Sequence, residues 1–75
     1  MKDLLEYIVK SLVNDPTQVE ISEVARDRAL ILRLRVAPED MGRVIGKGGR
    51  VVNAIRALLR VAAAREGRRV DLEVD

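Results

Sequence analysis

The sequence predicts an α+β fold in which a three-stranded mixed sheet carries helices packed on one face, in the order α-β-β-α-α-β. Apolar residues recur at helical spacing near the start and again after residue 49, and they alternate with polar residues in three short segments. Helices and half-buried strands each have one apolar face, so packing them in two layers is the economical solution. With 75 residues, the chain is expected to form a single domain over residues 1–75.

The first half of the chain predicts a helix followed by two strands. Residues 4–13 form one apolar stripe at helical spacing, and Pro16 ends it because proline disfavours helical geometry in the residue before it. Residues 18–22 alternate and predict a strand with one buried face. A polar turn at residues 26–28 then separates this strand from the clearest alternation, residues 30–36, which favours a hairpin.

The second half predicts two helices around a glycine-rich turn, then a last strand. The Pro-Glu-Asp sequence at residues 38–40 suits a helix start, and Asp40 is interpreted as a charge on the first turn. This short helix ends at Gly46, as helices often end at glycine. A longer helix is predicted from about residue 49 to residue 64, and residues 69–74 alternate as a strand.

Composition excludes several classes of protein. The chain has no Cys and no His, so it offers no disulfide, zinc site or nucleophile–base pair, and we expect it not to be an enzyme. No carboxylate-rich loop indicates a metal site, and no cofactor or small-molecule substrate is expected. The sequence has no signal peptide and no apolar run approaching the roughly 18 residues of a membrane span. A cytoplasmic location away from membranes is therefore expected.

Positive charge is concentrated in one part of the chain. Residues 43–69 contain eight Lys and Arg against a single Glu, a net charge of +7, whereas the remainder carries −5 and the whole chain +2. A local field of this sign favours a polyanion such as nucleic acid. An ordinary solvated helix face rich in arginine is the alternative that charge alone leaves open.

The most informative segment is residues 44–52, in which glycines bracket a Lys-Gly pair between aliphatic residues. Glycine allows a ligand's backbone to approach, and free amides at a helix start attract anions. The spacing fits neither a nucleotide-binding P-loop, which needs a Ser or Thr after its lysine, nor a dinucleotide fingerprint, which needs a third glycine at Val51. A phosphate-binding loop remains, with a ligand-free turn between helices as the alternative.

The segment resembles the V-I-G-x-x-G-x-x-I/V signature of KH domains, and the element order is similar to that of type II KH domains. The resemblance covers essentially the whole chain, and the small size is similar to the bacterial single-KH proteins of the KhpA type. KH modules clamp about four nucleotides of a single strand with a Gly-x-x-Gly loop. The resemblance therefore implies a single-stranded RNA-binding protein, acting as an RNA chaperone or post-transcriptional regulator. Single-stranded DNA is not excluded.

The resemblance also implies which residues contact RNA. The two bracketing glycines form the loop, aliphatic neighbours line or support a groove, and the basic residues before the last strand form its far wall. The RNA-binding residues implied in this way are Arg43, Val44, Ile45, Gly46, Lys47, Gly48, Gly49, Arg50, Val52, Arg68 and Arg69. The only aromatic residue is Tyr7, so no base-stacking platform exists and micromolar or weaker, salt-sensitive binding is expected.

Along the long helix, periodicity predicts that Val52, Ile55, Leu59 and Ala62 face the core and that Asn53, Arg56 and Arg60 face water. A second apolar stripe lies beside the core-facing one. A wide buried face would explain it, and so would an interface. The predicted interface residues are Val51, Ala54, Ile55, Leu58 and Val61. Resemblance to the KhpA type implies a homodimer and pairing with a larger KH protein of the Jag or KhpB type. A protein-interaction module whose main role is this dimerisation is therefore the alternative to RNA binding as the primary function.

Overall fold

The computed structural model describes residues 1–75 and has the predicted order of elements. The helices and strands are α1 (Lys2–Leu12), β1 (Glu20–Arg26), β2 (Ala29–Arg35), α2 (Met41–Ile45), α3 (Arg50–Arg65) and β3 (Arg69–Val74). Short 3₁₀ turns at Pro16–Gln18, Pro38–Asp40 and Lys47–Gly49 connect them. The α+β class, the element order and the three-stranded mixed sheet are confirmed.

The strand with the clearest alternation, β2, lies in the centre of the sheet. It pairs antiparallel with β1 and parallel with β3. The β1–β2 hairpin closes through two residues, and the first of them, Asp27, adopts a φ of +52°. Aspartate tolerates this left-handed geometry better than most residues, which is why a glycine-free sequence can make so short a turn.

The core lies between the sheet and the helices and consists of thirteen buried apolar residues. From β2 and β3 come the alternating Leu30, Leu32, Leu34, Val70 and Leu72; the helices supply Leu5, Val9, Val44, Val52, Ile55, Leu59 and Ala63, and Val36 completes the cluster. In α3 the buried position is Ala63, one residue beyond the Ala62 expected from periodicity. None of the helices combines the length and apolar character that crossing a membrane requires.

Strand β1 differs from its prediction in position and in burial. It starts at Glu20 and runs to Arg26, and only Ile21 among its seven residues is even half-buried. Ile21 pairs with Leu34 on the helix-facing side of the sheet, but the next positions on that side are Glu23 and Ala25, both exposed. Because β1 is an edge strand and the helices bury little of it, it needs no continuous apolar face.

Asp40 lies at the start of α2, as its position predicts, but it does more than interact with the helix as a charge. Its carboxylate is fully buried and accepts hydrogen bonds from the backbone amides of Asn14 and Asp15, each at 3.0 Å. These bonds join the end of α1 to the start of α2 across 26 residues of sequence. Asp15 in turn accepts from the Thr17 hydroxyl and the Gln18 amide, which lower the pKa of its carboxyl.

Candidate nucleic-acid interface

The Gly-x-x-Gly loop, residues 46–49, is a tight connection between α2 and α3. Gly46, Gly48 and Gly49 have φ angles of +76°, +64° and +80°, a region that side chains other than Asn and Asp rarely occupy. The Gly46 amide donates to the Gly42 carbonyl at 2.9 Å, and the Gly49 amide donates to the Gly46 carbonyl at 3.1 Å. The glycines therefore allow the chain to reverse between two helices within four residues.

Gly46 is also required by the space around it. A Cβ at this position would lie 2.5 Å from Val51 Cγ2 and 2.8 Å from the Val51 backbone nitrogen. A Cβ at Gly48 would meet nothing within 4 Å, and at Gly49 its nearest contact would be Asn53 Nδ2 at 3.6 Å. Gly46 thus packs the loop against the first turn of α3, whereas Gly48 keeps an open surface.

We expect the substitution Gly46→Ala to destabilise the protein by about 2 kcal/mol or more, because strained φ and a backbone clash act together. Gly48 has a positive φ in the ordinary left-handed region, with a ψ of 18° against 168° at Gly46, and a Cβ there meets no clash. Gly48→Ala is therefore the control and should cost only about 1 kcal/mol. Urea unfolding of both variants measures the difference. Equal losses would show that Gly46 matters through its φ angle alone.

The loop presents cations to solvent at the start of α3, where the amides of Gly49 and Arg50 donate to the Gly46 and Lys47 carbonyls. Lys47 and Gly48 are exposed, and Arg50, the first residue of α3, is exposed beside them. No acidic side chain lies within ion-pair distance of Lys47 or Arg50. No side chain caps the start of α3 at Gly49. An anion at this end of α3 would meet a favourable helix dipole and two free cations.

The aliphatic residues around the loop differ in what they can contact. Val44 and Val52, with 0% and 5% of their surface exposed, are core residues of α2 and α3 beneath the loop. Ile45 is half-buried and is the aliphatic side chain of the set with surface available to a ligand. Of these three predicted residues, Val44 and Val52 therefore support the loop from the core, and Ile45 alone can contact a ligand.

Two arginines near the groove have protein partners. Arg43 Nε lies 3.7 Å from Asp40 Oδ1, which fixes this exposed side chain beside the loop. Arg56, expected from periodicity to face water, is half-buried and donates to the Leu72 carbonyl at 3.1 Å and to Asn53 Oδ1 at 3.3 Å. Arg56 therefore joins α3 to the outer edge of β3, a contact that sequence periodicity could not indicate.

Arg68 and Arg69 do not lie beside the Gly-x-x-Gly loop. They follow the C-terminus of α3, whereas the loop precedes its N-terminus, and the 16 residues of α3 span about 24 Å. The turn that carries them is held by hydrogen bonds from the Arg68 amide to the Ala63 carbonyl and from the Arg69 amide to the Arg28 carbonyl. The cationic surface thus runs from one end of α3 to the other.

The predicted interface residues lie partly on the surface and partly in the core. Leu58 and Val61 are 56% and 59% exposed, and Ala54 beside them is exposed as well. These three residues form the α3 apolar stripe. Val51 is half-buried against Gly46, and Ile55, at 3% exposure, belongs to the core and cannot present a side chain to a partner. The prediction for Ile55 is therefore wrong in this respect, because it sits on the sheet-facing side of α3.

Comparison with known proteins gives the same family over the whole chain. The family model for the KH domain of KhpA and KhpB matches residues 2–74. The RNA-binding protein KhpA of Clostridium acetobutylicum is 54% identical over 74 residues, covering 99% of each chain. The proteins of the same name from Clostridium perfringens and Borreliella burgdorferi are 49% and 44% identical, the latter over 96% of this chain and 88% of its own. The chain therefore belongs to the KhpA/KhpB family of KH domains.

Proposed function

We propose that the protein binds single-stranded RNA in the cytoplasm, with the Gly-x-x-Gly loop holding the sugar–phosphate backbone. The observation that supports this most is the turn of three positive-φ glycines at a helix start without a side-chain cap, where Lys47 and Arg50 are exposed and unpaired. Relatives that are 44–54% identical are named RNA-binding proteins. Both findings favour a binding module over an enzyme.

In this mechanism, contacts to the sugar–phosphate backbone of the RNA supply most of the affinity. Amides and cations contact phosphates without reading bases, so the loop positions the strand but does not select its sequence. Ile45 offers a base one half-buried aliphatic surface, and the chain has no aromatic residue near the groove. We therefore expect weak base selectivity and an affinity that falls steeply as salt is raised.

Nuclear magnetic resonance titration with a short oligoribonucleotide of unstructured sequence tests this proposal. The backbone amide signals of residues 46–50 should shift during the titration, because these amides lie at the proposed phosphate contact. Signals from the solvent-facing side of β1, such as that of Ser22, should stay in place and serve as the internal reference. Shifts at distant residues without any at 46–50 would contradict the role of the loop.

A second candidate function is association through the α3 apolar stripe. Two large aliphatic side chains more than half exposed on one face of a helix favour an interface, either between two copies or with a KH protein of the KhpB type. Joining two loops in one dimer would raise the avidity for a long RNA without any new contact. Such a dimer would suit an RNA chaperone or a post-transcriptional regulator.

We expect Leu58→Asp to convert a dimer of this chain into a folded monomer, because a carboxylate cannot be buried unpaired at an apolar interface. Tyr7→Asp is the matched control, since Tyr7 is the most exposed large apolar side chain and lies on α1. Light scattering after size-exclusion chromatography measures the mass, and circular dichroism checks the fold. A dimer that persists in Leu58→Asp would exclude the α3 apolar stripe.

A further inference from the structure

A cavity of about 430 Å³ opens between the C-terminal half of α3 and the start of β3, at the opposite end of α3 from the Gly-x-x-Gly loop. Its size is within the range of sites that hold small ligands. We call it the arginine pocket. It is lined by Arg60 and Ala64 of α3, by Arg68, Arg69, Val70 and Asp71 around the start of β3, and by Ala29 of β2.

The three arginines of the pocket have no partner within the protein. Elsewhere in the chain, Arg33 pairs with Glu73 at 3.1 Å and Arg43 lies near Asp40. The guanidinium groups of Arg60, Arg68 and Arg69 have no carboxylate within 4.0 Å, although Asp71 lines the same cavity. Three unpaired cations around one cavity leave a strong positive field that an anionic ligand would neutralise.

The backbone around the pocket is well held. Gly67, at a φ of +68°, lets the chain turn, and its amide donates to the Ala64 carbonyl at 3.1 Å. The Arg68 amide donates to the Ala63 carbonyl at 3.0 Å, and the Arg68 side chain is half-buried. The pocket is therefore a preformed feature in which binding requires ordering only of the guanidinium groups.

We propose that the arginine pocket is a second RNA contact that holds one nucleotide of the strand whose backbone is bound at the loop. Exposed Ala64 and half-buried Ala29 offer apolar surface to a base or ribose, and guanidinium groups both bind phosphate and stack on bases. The Asp71 carboxylate repels a bare phosphate but accepts hydrogen bonds from base amino groups or a ribose hydroxyl. The mixture fits a nucleotide better than an inorganic anion.

This inference rests on the proposed RNA binding and adds a length requirement to it. The loop and the pocket lie at opposite ends of α3, about 24 Å apart along its axis. A strand of about four nucleotides, the length clamped by a Gly-x-x-Gly loop, would fill the loop site without securing the pocket. A longer strand would engage both, so affinity should rise with length beyond that point.

The test measures binding of oligoribonucleotides of about four nucleotides and of twice that length by fluorescence anisotropy. The variant Arg60→Gln/Arg68→Gln removes two pocket cations. The control Lys2→Gln/Arg35→Gln removes two exposed cations that do not line the pocket, one on α1 and one at the far end of β2, so that the net charge changes equally. Nuclear magnetic resonance spectra of the wild-type protein with each oligonucleotide report on the amides of residues 64 and 68–71.

We expect the pocket variant and the control to bind the short oligonucleotide with the same affinity. For the long oligonucleotide, the pocket variant should bind about tenfold more weakly, which is the size of effect expected when a charged hydrogen bond is lost. Amides of the pocket should shift with the long strand only. Equal losses of affinity in the two variants would overturn the second contact. It would also be overturned if adenosine monophosphate shifted the amide signals of the pocket and the long oligonucleotide did not displace that nucleotide. Wild-type protein that binds neither strand would instead refute the proposed function itself.

Discussion

Lys47→Asp/Gly48→Asp is expected to reduce RNA affinity by about 100-fold while the domain stays folded. Both residues are exposed, and a side chain at Gly48 would meet nothing within 4 Å. Aspartate tolerates the +64° φ of Gly48 better than most residues, so the folding penalty is about 1 kcal/mol. The variant replaces an exposed cation of the proposed phosphate contact with two anions at the start of α3.

The matched control for this variant is Ser22→Glu/Arg26→Glu, which changes the net charge by the same three units on the exposed face of β1. Fluorescence anisotropy at two salt concentrations separates the two effects. The control should lose only the general electrostatic attraction, and its salt dependence should keep the slope of the wild-type protein. If both variants weaken binding equally, the overall charge and not the loop determines affinity.

Asp40→Ala is expected to lower the free energy of unfolding by about 3 kcal/mol, because it removes the buried carboxylate that accepts from the backbone amides of Asn14 and Asp15 and leaves a cavity in its place. A domain of this length has a total stability of roughly 4–11 kcal/mol, so the loss is a large part of it. The Asp40 carboxylate also lies near Arg43, which would lose its nearest anion. No other side chain joins the end of α1 to α2 by hydrogen bonds.

Glu39→Ala is the control for Asp40→Ala, since Glu39 is the adjacent carboxylate at the same helix start but is exposed. Its effect should stay within about 0.5 kcal/mol, as for surface substitutions generally. Urea unfolding followed by circular dichroism measures both variants. Similar losses in the two would mean that Asp40 acts only as a helix-start charge, as the sequence alone suggests.

The predictions that succeeded rest on local patterns. Alternation in residues 30–36 placed β2 and its buried leucines correctly, because a half-buried strand repeats every two residues wherever it lies in a sheet. The Gly46 boundary followed from the helix-ending role of glycine, and the structure adds that Val51 leaves no room for a Cβ there. Both signals depend on a few neighbouring residues and need no knowledge of the rest of the chain.

The predictions that failed concern contacts between distant segments. Asp40 and Glu39 are adjacent carboxylates with the same local pattern, yet only Asp40 is buried by the turn after α1. Arg56 was expected to face water with Asn53 and Arg60, but the edge of β3 offers it the Leu72 carbonyl. Periodicity placed Ile55 with Val52 and Leu59 on the core-facing stripe of α3, and the structure buries it there, so its second assignment to the interface fails.

By itself, the sequence determined the element order, the glycine turn between two helices and the concentration of cations in residues 43–69. Backbone preferences and hydrophobic periodicity act over short distances, so these features can be read along the chain. Only the tertiary structure decided which carboxylate is buried, which arginines remain unpaired and that Arg60, Arg68 and Arg69 line one cavity. Such properties arise where segments far apart in sequence meet, and burial there changes the free energy of a charged group.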